Sequence, residues 1–504
     1  MNSSKQIKLG AVLSYVSIGI NILSGLLYTP WMINQIGQND YGLYTLANSI
    51  ITLLMVDFGL SAATARYLSK YNAEGKREEA EKFLGAVYKL YLIVDAVIMA
   101  ILVVIYFRID SIYATLTPDE LSRFKVVYII SALFSVTNFP FVTFNGILNS
   151  YEKFVPLKLS EVLYRVFLVG FTILALLMGF GLYALVTVHA IVGLSVTLFK
   201  FIVIKKTVPL KVNFKHKDKS LYKDIFGFSI WTTVSFIVQR LVFNLTPSIL
   251  GMVTGAAQIA VFGIVTTIEG YSYTITTAIN GMFMPRISRL VADDKSEKAL
   301  NKLLVDVGKF QFALNGLIIA GFAVVGRSFI DLWMGEAFRD AYYGILLVII
   351  PGAFFNALQI ANTTIIVEGK VKLMAVVNIV TGVINVCLSY PLSKMYGVLG
   401  ACVSICIAYF VRSIVLLIIY HKVLPFDILA FIKKCYVRIS LPVIATMAGG
   451  FLMNMIVPDR GWFVLLFKGA VVVFLFAVLT FAIGFNKSEK VALFGKVKSL
   501  LKRS

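Results

Sequence analysis

The sequence predicts an all-α polytopic membrane protein of about 14 transmembrane helices, and three observations carry that reading. Hydrophobic residues make up 59% of the 504-residue chain and charged residues only 14%. Apolar runs of about 20 residues, enough to cross a bilayer core of roughly 30 Å, recur along its whole length. A polar row within the first run, Ser14, Ser17, Asn21, Ser24 and Tyr28, is answered about 218 residues later by Thr232, Ser235, Gln239, Val242 and Thr246. Steps of three and four residues put each row on one face of a helix. A lipid-facing helix has no use for such a stripe, so both copies are expected to face other helices or a shared watery path, as two lobes of a transporter would.

Taken in order, the spans are 9–33, 40–66, 82–107, 123–149, 158–178 and 182–204, then 225–250, 259–284, 303–326, 341–366, 372–393 and 398–420, then 436–457 and 463–484. The first is too long for the apolar core of a signal peptide and has no convincing small-residue cleavage site after it, so it is read as an uncleaved helix. An even number of spans puts both termini on one side. Lys and Arg crowd the loops of that side, which makes both termini cytoplasmic. The net charge of +21 is then mostly a topology signal and needs no nucleic acid. The run Lys205, Lys206, Lys211, Lys215, Lys217, Lys219 and Lys223 is also suited to anionic membrane lipids.

The repeat extends past the polar rows. Gly37, Tyr41 and Tyr44 are answered by Gly255, Ile259 and Phe262, and Thr29-Pro30 by Thr246-Pro247. Six spans separate the copies, so the halves point the same way, as a parallel repeat. The expected division is an N-lobe of helices 1 to 6 over 1–204, a basic cytoplasmic linker over 205–224, a C-lobe of helices 7 to 12 over 225–420, and helices 13 and 14 with a basic tail over 421–504.

Charges inside the spans mark candidate functional residues, because an intramembrane charge is costly and usually faces the bundle interior. Arg240 falls about midway along helix 7, either on a pathway or in a structural ion pair with Glu269 of helix 8. Glu269 shares a face with Thr266, Tyr273, Thr276 and Asn280, while its first-lobe counterpart is Ile51. Three roles are open to it: a coupling-ion carboxylate, a static partner of Arg240, or a residue of a wet cavity. Asp57 lies toward the cytoplasmic end of helix 2 ahead of Arg66, and Asp95 near the middle of helix 3. Glu161 and Arg165 are spaced for an intrahelical pair. Lys89, Lys309, Arg412 and Lys468 sit near span ends and are expected to snorkel. Tyr28, Trp31, Tyr41, Tyr44, Trp333, Tyr342, Tyr343 and Trp462 are mainly expected as interfacial belt anchors.

No catalytic site emerges. The loops are too short for a catalytic domain, and His189, His216 and His421 lack metal-ligand spacing. Cys387, Cys402, Cys406 and Cys435 lie within or beside spans and are read as small buried thiols.

Three motifs then carry a resemblance: Gly37-x3-Tyr41-Gly42-x-Tyr44, Asp57-Phe58-Gly59-Leu60 followed by Arg66, and Phe329-Ile330-Asp331-Leu332-Trp333-Met334-Gly335. With chain length and helix count, the sequence resembles the Wzx-type oligosaccharide flippases of the multidrug/oligosaccharidyl-lipid/polysaccharide exporter superfamily. The resemblance implies alternating-access translocation of undecaprenyl-diphosphate-linked oligosaccharide across the inner (cytoplasmic) membrane, for O-antigen, lipopolysaccharide, capsule or a related surface polymer. It implies no cofactor beyond a coupling H+ or Na+, and as partners the lipid-linked glycan, membrane lipids, and polymerase and assembly proteins. Helices 13 and 14 would form a groove for the lipid tail. In this reading Arg240 meets the diphosphate, for which a guanidinium is geometrically suited. Ser17, Asn21, Ser235, Gln239, Tyr273 and Asn280 supply further substrate contacts, and Glu269, Asp57, Asp95 and Arg66 serve coupling or gating. The alternatives are a multidrug/cation antiporter of the sister branch and, further off, a membrane-bound polysaccharide polymerase or ligase.

Overall fold

The computed structural model describes residues 3–214, 233, 237–238, 240–278, 280–293, 297–458, 461–486 and 490. Every regular element among them is helical: α1 Ser3–Ile36, α2 Gln38–Leu54, α3 Leu60–Ala73, α4 Arg77–Ile112, α5 Pro118–Asn138, α6 Thr143–Ser150, α7 Phe154–Leu177 and α8 Gly181–Thr207. There follow α9 Arg240–Val253, α10 Ala256–Thr277, α11 Asn280–Val291, α12 Glu297–Trp333, α13 Asp340–Asn356, α14 Gln359–Val367 and α15 Val371–Val423. The last two are α16 Ile428–Ile456 and α17 Gly461–Gly484. Ten stretches among the described residues are long and apolar enough to cross a membrane. The protein is a multi-pass membrane protein.

Breaks in the helices separate this pattern from the fourteen apolar runs. The run 40–66 is two helices, α2 and α3, parted where Phe58 and Gly59 take φ values of 51° and 68°. Asp57 is therefore in a helix break rather than toward the end of one continuous helix. The run 123–149 is α5 and α6 joined by a 3-10 turn at Phe139–Val142, where Pro140 has no N–H to continue the ladder. The run 341–366 divides into α13 and α14, whereas the runs 372–393 and 398–420 are two helices, as expected, that meet without a loop in α15 at Gly397, whose φ of 59° and ψ of -136° are not helical. Hydropathy averages over such turns and cannot see them. In the run 225–250, residues 225–232, 234–236 and 239, and with them Thr232, Ser235 and Gln239, lie outside the described residues.

Element boundaries recur at the same offset as the sequence repeat. Ala73 and Val291 end the matched helices α3 and α11, and Asn138 and Asn356 end α5 and α13, each pair 218 residues apart. Gly37 and Gly255, one residue before α2 and α10, have φ values of 87° and 116°, a conformation that costs a side-chain-bearing residue energy.

The chain divides into two compact units, Met1–Gly263 with Ser393–Gly397, and Ile264–Leu392 with Val398–Ser504. In the first, α1 packs on α7, α2 on α5, α3 on α6, and α8 on both α5 and α7. Glycine makes two of its approaches possible. A Cβ on Gly42 would lie 2.0 Å from the Ala256 carbonyl oxygen, and one on Gly146 would lie 2.4 Å from that of Ser61. In the second unit α12 packs on α13, α16 and α17, and α11 on α14. There Gly450 admits Val324 to the helix surface, with 2.4 Å left for a Cβ.

Candidate functional site

The two broken helices of the first unit line one cavity of about 620 Å³. Its wall includes Asp57, Phe58, Gly59 and Ser61 from the first break, Asn138, Phe139 and Val142 from the second, and Arg240 and Asn149. Non-helical backbone survives at membrane depth only where protein or a wet cavity satisfies its polar groups, so this is where a polar pathway belongs. Arg240 and Asp57 do that satisfying. At the end of α2, where carbonyls lose their helical partners, Arg240 Nη1 donates to the Thr52 oxygen at 2.6 Å and the Met55 oxygen at 2.7 Å. At the start of α3 the Leu60 N–H donates to the Asp57 carbonyl at 2.9 Å, and the Asp57 carboxylate faces the N–H groups of Gly59, Leu60 and Ser61. Each charge faces the helix end of opposite sign. Asp57 is close enough to attract Arg240 electrostatically. Arg240 and these two carbonyls all belong to the first unit, while Glu269, weighed as a partner for the arginine, belongs to the second.

The second break is held from α8. Thr197 Oγ1 donates to Asn138 Oδ1 at 2.6 Å, and Lys200 Nζ to Asn145 Oδ1 at 3.0 Å. Asn138 and Asn149 were missed as site residues because lone asparagines in apolar runs carry no spacing signal. Ser17 and Asn21 are not among the residues lining the cavity. The polar row of α1 instead meets α7: Arg165 Nε donates to Ser24 Oγ at 2.8 Å, and Tyr28 lies beside Thr172. This corrects the expected Glu161–Arg165 pair, since Glu161 binds Lys158 at 2.9 Å. Arg66 is exposed on α3 and does not line the cavity. Asp95 is half-buried on α4, with Oδ1 enclosed and lacking a hydrogen-bond partner among the described residues.

A family model described as polysaccharide biosynthesis protein matches residues 8–291. The chain belongs to this family. It is also 23% identical over 398 residues to a Shigella flexneri protein named "Putative O-antigen transporter", covering 77% of this chain and 91% of that one. Among solved structures, the lipid II flippase MurJ in an inward closed conformation superposes with a TM-score of 0.75 at 15% identity, covering 94% of this chain and 98% of MurJ. An inward-facing multidrug resistance transporter of the MATE family gives 0.64 at 15% identity, covering 86% and 99%. The two structural likenesses establish the fold.

The second unit of this polysaccharide biosynthesis protein has its own buried polar network. Gln311 Nε2 donates to Asn280 Oδ1 at 2.6 Å, Asn315 Nδ2 to the Gln311 carbonyl at 2.9 Å, and Ser272 Oγ to Asn315 Oδ1 at 3.4 Å. Asn280, expected on a polar face, is thus tied to α12 by Gln311. Glu269 is half-buried, and no hydrogen bond or ion pair to it is seen among the described residues. Tyr273 and Tyr409 each lie within electrostatic reach of both Glu269 and Arg412. Arg412 was expected to snorkel and does not. It is 4% exposed, its guanidinium stands 3.8 Å from the centroid of the Phe355 ring, and its Nε has no hydrogen-bond partner among the described residues. Lys309 and Lys468 are likewise buried rather than snorkelling. Trp333 leaves the expected belt as well: it is buried, stacked 5.1 Å from Phe329. No group of three His, Cys, Asp or Glu converges as a metal site among the described residues, and all four cysteines are free.

Proposed function

We propose that this protein is a flippase that carries polyprenyl-diphosphate-linked oligosaccharide across the cytoplasmic membrane by alternating access, for surface polysaccharide biosynthesis. The observation that carries the reading is the first-unit cavity: two interrupted membrane helices open onto it, and Arg240 is its cation. A diphosphate needs a planar, charged donor in low dielectric, and guanidinium offers five N–H groups of which the two backbone carbonyls engage one nitrogen. Asn138, Ser61 and Asn149 offer hydrogen bonds around it. Membership in the polysaccharide biosynthesis family supports a glycan-bearing load over a small amphipathic cation, for which the multidrug transporters give fold likeness alone.

The same proposal includes fourteen membrane crossings, cytoplasmic termini, two parallel six-helix lobes and two further helices beside the lipid tail. The recurrence of helix boundaries at 218 residues supports the two lobes. A polymerase and assembly proteins would take over the delivered unit, and Glu269 is the proposed site of H+ or Na+ coupling. Reconstituted vesicles with a polyprenyl-diphosphate oligosaccharide on one leaflet provide the test: the wild-type protein should equilibrate it between leaflets, and Arg240→Ala should not. Flipping by the Ala variant at wild-type rate would remove Arg240 from the substrate path, and no flipping by the wild type would end the reading.

A further inference from the structure

The first unit holds a second recess, of about 660 Å³, between the end of α3, the end of α6 and the segment after α8. Nothing in the foregoing uses it. Tyr71, Asn72, Arg77, Asn149, Tyr151 and Glu152 line it. We propose that this recess is a glycan subsite that holds the sugar nearest the diphosphate while the diphosphate occupies the Arg240 cavity. The proposal rests on the flippase reading and adds to it the part of the load that the cation cannot recognise.

Its chemistry is that of a neutral, hydroxyl-rich ligand. Two phenols and two amides converge there with the hydroxyls of Ser69 and Ser150, while the charges balance at one Arg and one Glu. Arg77 is partly occupied, since its Nε donates to Glu81 at 3.2 Å. An anionic head group would call for surplus positive charge, which the lining lacks. Tyr151 OH already donates to Asn72 Oδ1 at 2.9 Å at the exposed rim. A phenol and an amide in that arrangement offer an acceptor, two N–H donors and a ring face to a pyranose.

Position argues the same way. Asn149 lines both the recess and the Arg240 cavity, so the two spaces share the wall made by the end of α6. In a lipid-linked saccharide the first sugar is bonded directly to the diphosphate, so their subsites have to adjoin. The backbone marks both spaces too. Phe58 in the cavity wall and Glu152 in the recess wall are the non-glycine residues with positive φ among those described, at 51° and 53°. At the end of α6 Glu152 N donates to the Asn149 carbonyl at 3.0 Å and Lys153 N to that of Leu148 at 2.8 Å, the paired bonds of a helix end closed by a left-handed residue. That turn sets Tyr151 against Asn72. The flanking hairpin carries Lys70, Lys76, Arg77 and Lys82, which places the recess on the cytoplasmic side, where a flippase collects its load.

The test compares two probes on the purified full-length protein: sugar-free undecaprenyl diphosphate, and the lipid-linked oligosaccharide that accumulates in cells lacking this protein. The wild type is expected to bind the second at least tenfold more tightly. Asn72→Ala and Tyr151→Ala should cut that ratio below threefold while leaving affinity for the sugar-free lipid unchanged, which also shows that the variants are folded. Tyr151→Phe, which removes only a hydroxyl, should give an intermediate ratio. Equal wild-type affinity for both probes, or variants that leave the ratio intact or weaken both probes alike, would overturn the subsite with the flippase reading standing. Wild-type protein that binds neither probe would overturn both.

Discussion

Arg240 reaches from α9 to the Met55 carbonyl at 2.7 Å and so closes the end of a different helix, α2. That contact makes the residue structural and chemical at once. Replacing it with Ala would leave the Thr52 and Met55 oxygens without their charged donor, each such bond being worth about 1.5–3 kcal/mol. Arg240→Ala is therefore expected to abolish polymer export and also to lower the unfolding temperature of the purified protein. Arg240→Lys keeps the charge but loses the planar fork, and should restore most of the thermal stability with only part of the export. Full export by Arg240→Ala at normal protein levels would refute the substrate role.

Asp57 answers the other side of the same break. Its carboxylate faces the N–H groups that open α3, just ahead of the N-cap Gly59; a polar acceptor at a helix start is a role that Asn fills about as well as Asp, whereas Ala costs about 0.5–2 kcal/mol. Asp57→Asn is thus expected to keep wild-type stability in a thermal-shift measurement and Asp57→Ala to lose it. If the charge balances Arg240 in the cavity, Asn should also tighten binding of sugar-free undecaprenyl diphosphate. A weaker affinity in the Asn variant would show that the carboxylate helps rather than opposes the anion.

The class of the protein was legible in the sequence because it rests on hydropathy, and Arg240 drew notice as a rare intramembrane charge that the structure places on the wall of a cavity. The helix breaks were not legible, although Asp57-Phe58-Gly59 was picked out as a motif. A run of apolar residues reads alike whether its φ values are helical or, as at Phe58 and Gly59, left-handed. Partner choice was equally hidden. The spacing of Glu161 and Arg165 pointed to each other, yet packing of α7 on α1 gave the arginine Ser24 instead. Burial of Arg412 depended on Phe355 and Tyr409, of which Phe355 comes from another helix, so no local pattern announced it.

Gly42 should tolerate no side chain. A Cβ there would sit 2.0 Å from the Ala256 carbonyl oxygen, which is backbone and has little room to yield. Overpacking typically costs about 1–3 kcal/mol, and a larger residue costs more. Gly42→Val is expected to reduce the amount of folded protein recovered from membranes severely and Gly42→Ala to lower its melting temperature. Gly19, with no atom within 4 Å of its virtual Cβ, provides the control: Gly19→Ala should be neutral. Wild-type behaviour of Gly42→Val would mean that α2 and the Ala256 backbone do not approach as described.

Glu269 carries the sharpest prediction about energy coupling. It is a half-buried acid that lacks an ion-pair partner among the described residues, and Tyr273 and Tyr409 stand within reach of both it and Arg412. An intramembrane carboxylate that gains and loses a proton or sodium ion changes the local charge by one, enough to bias two conformations separated by a few kcal/mol. Glu269→Gln fixes the neutral form without changing shape. If Glu269 couples transport, the Gln variant should bind undecaprenyl diphosphate as the wild type does, and should still equilibrate the lipid-linked oligosaccharide between leaflets. It should no longer accumulate that lipid against its gradient when a pH or sodium gradient is imposed. Because Arg240 and its carbonyl partners belong to the first unit, Glu269→Gln should also be less damaging to stability than Arg240→Ala. Flipping assays in vesicles under imposed proton and sodium gradients separate the outcomes. A Gln variant that responds to the gradient as fully as the wild type would leave Glu269 as a packing residue beside Tyr273 and Tyr409.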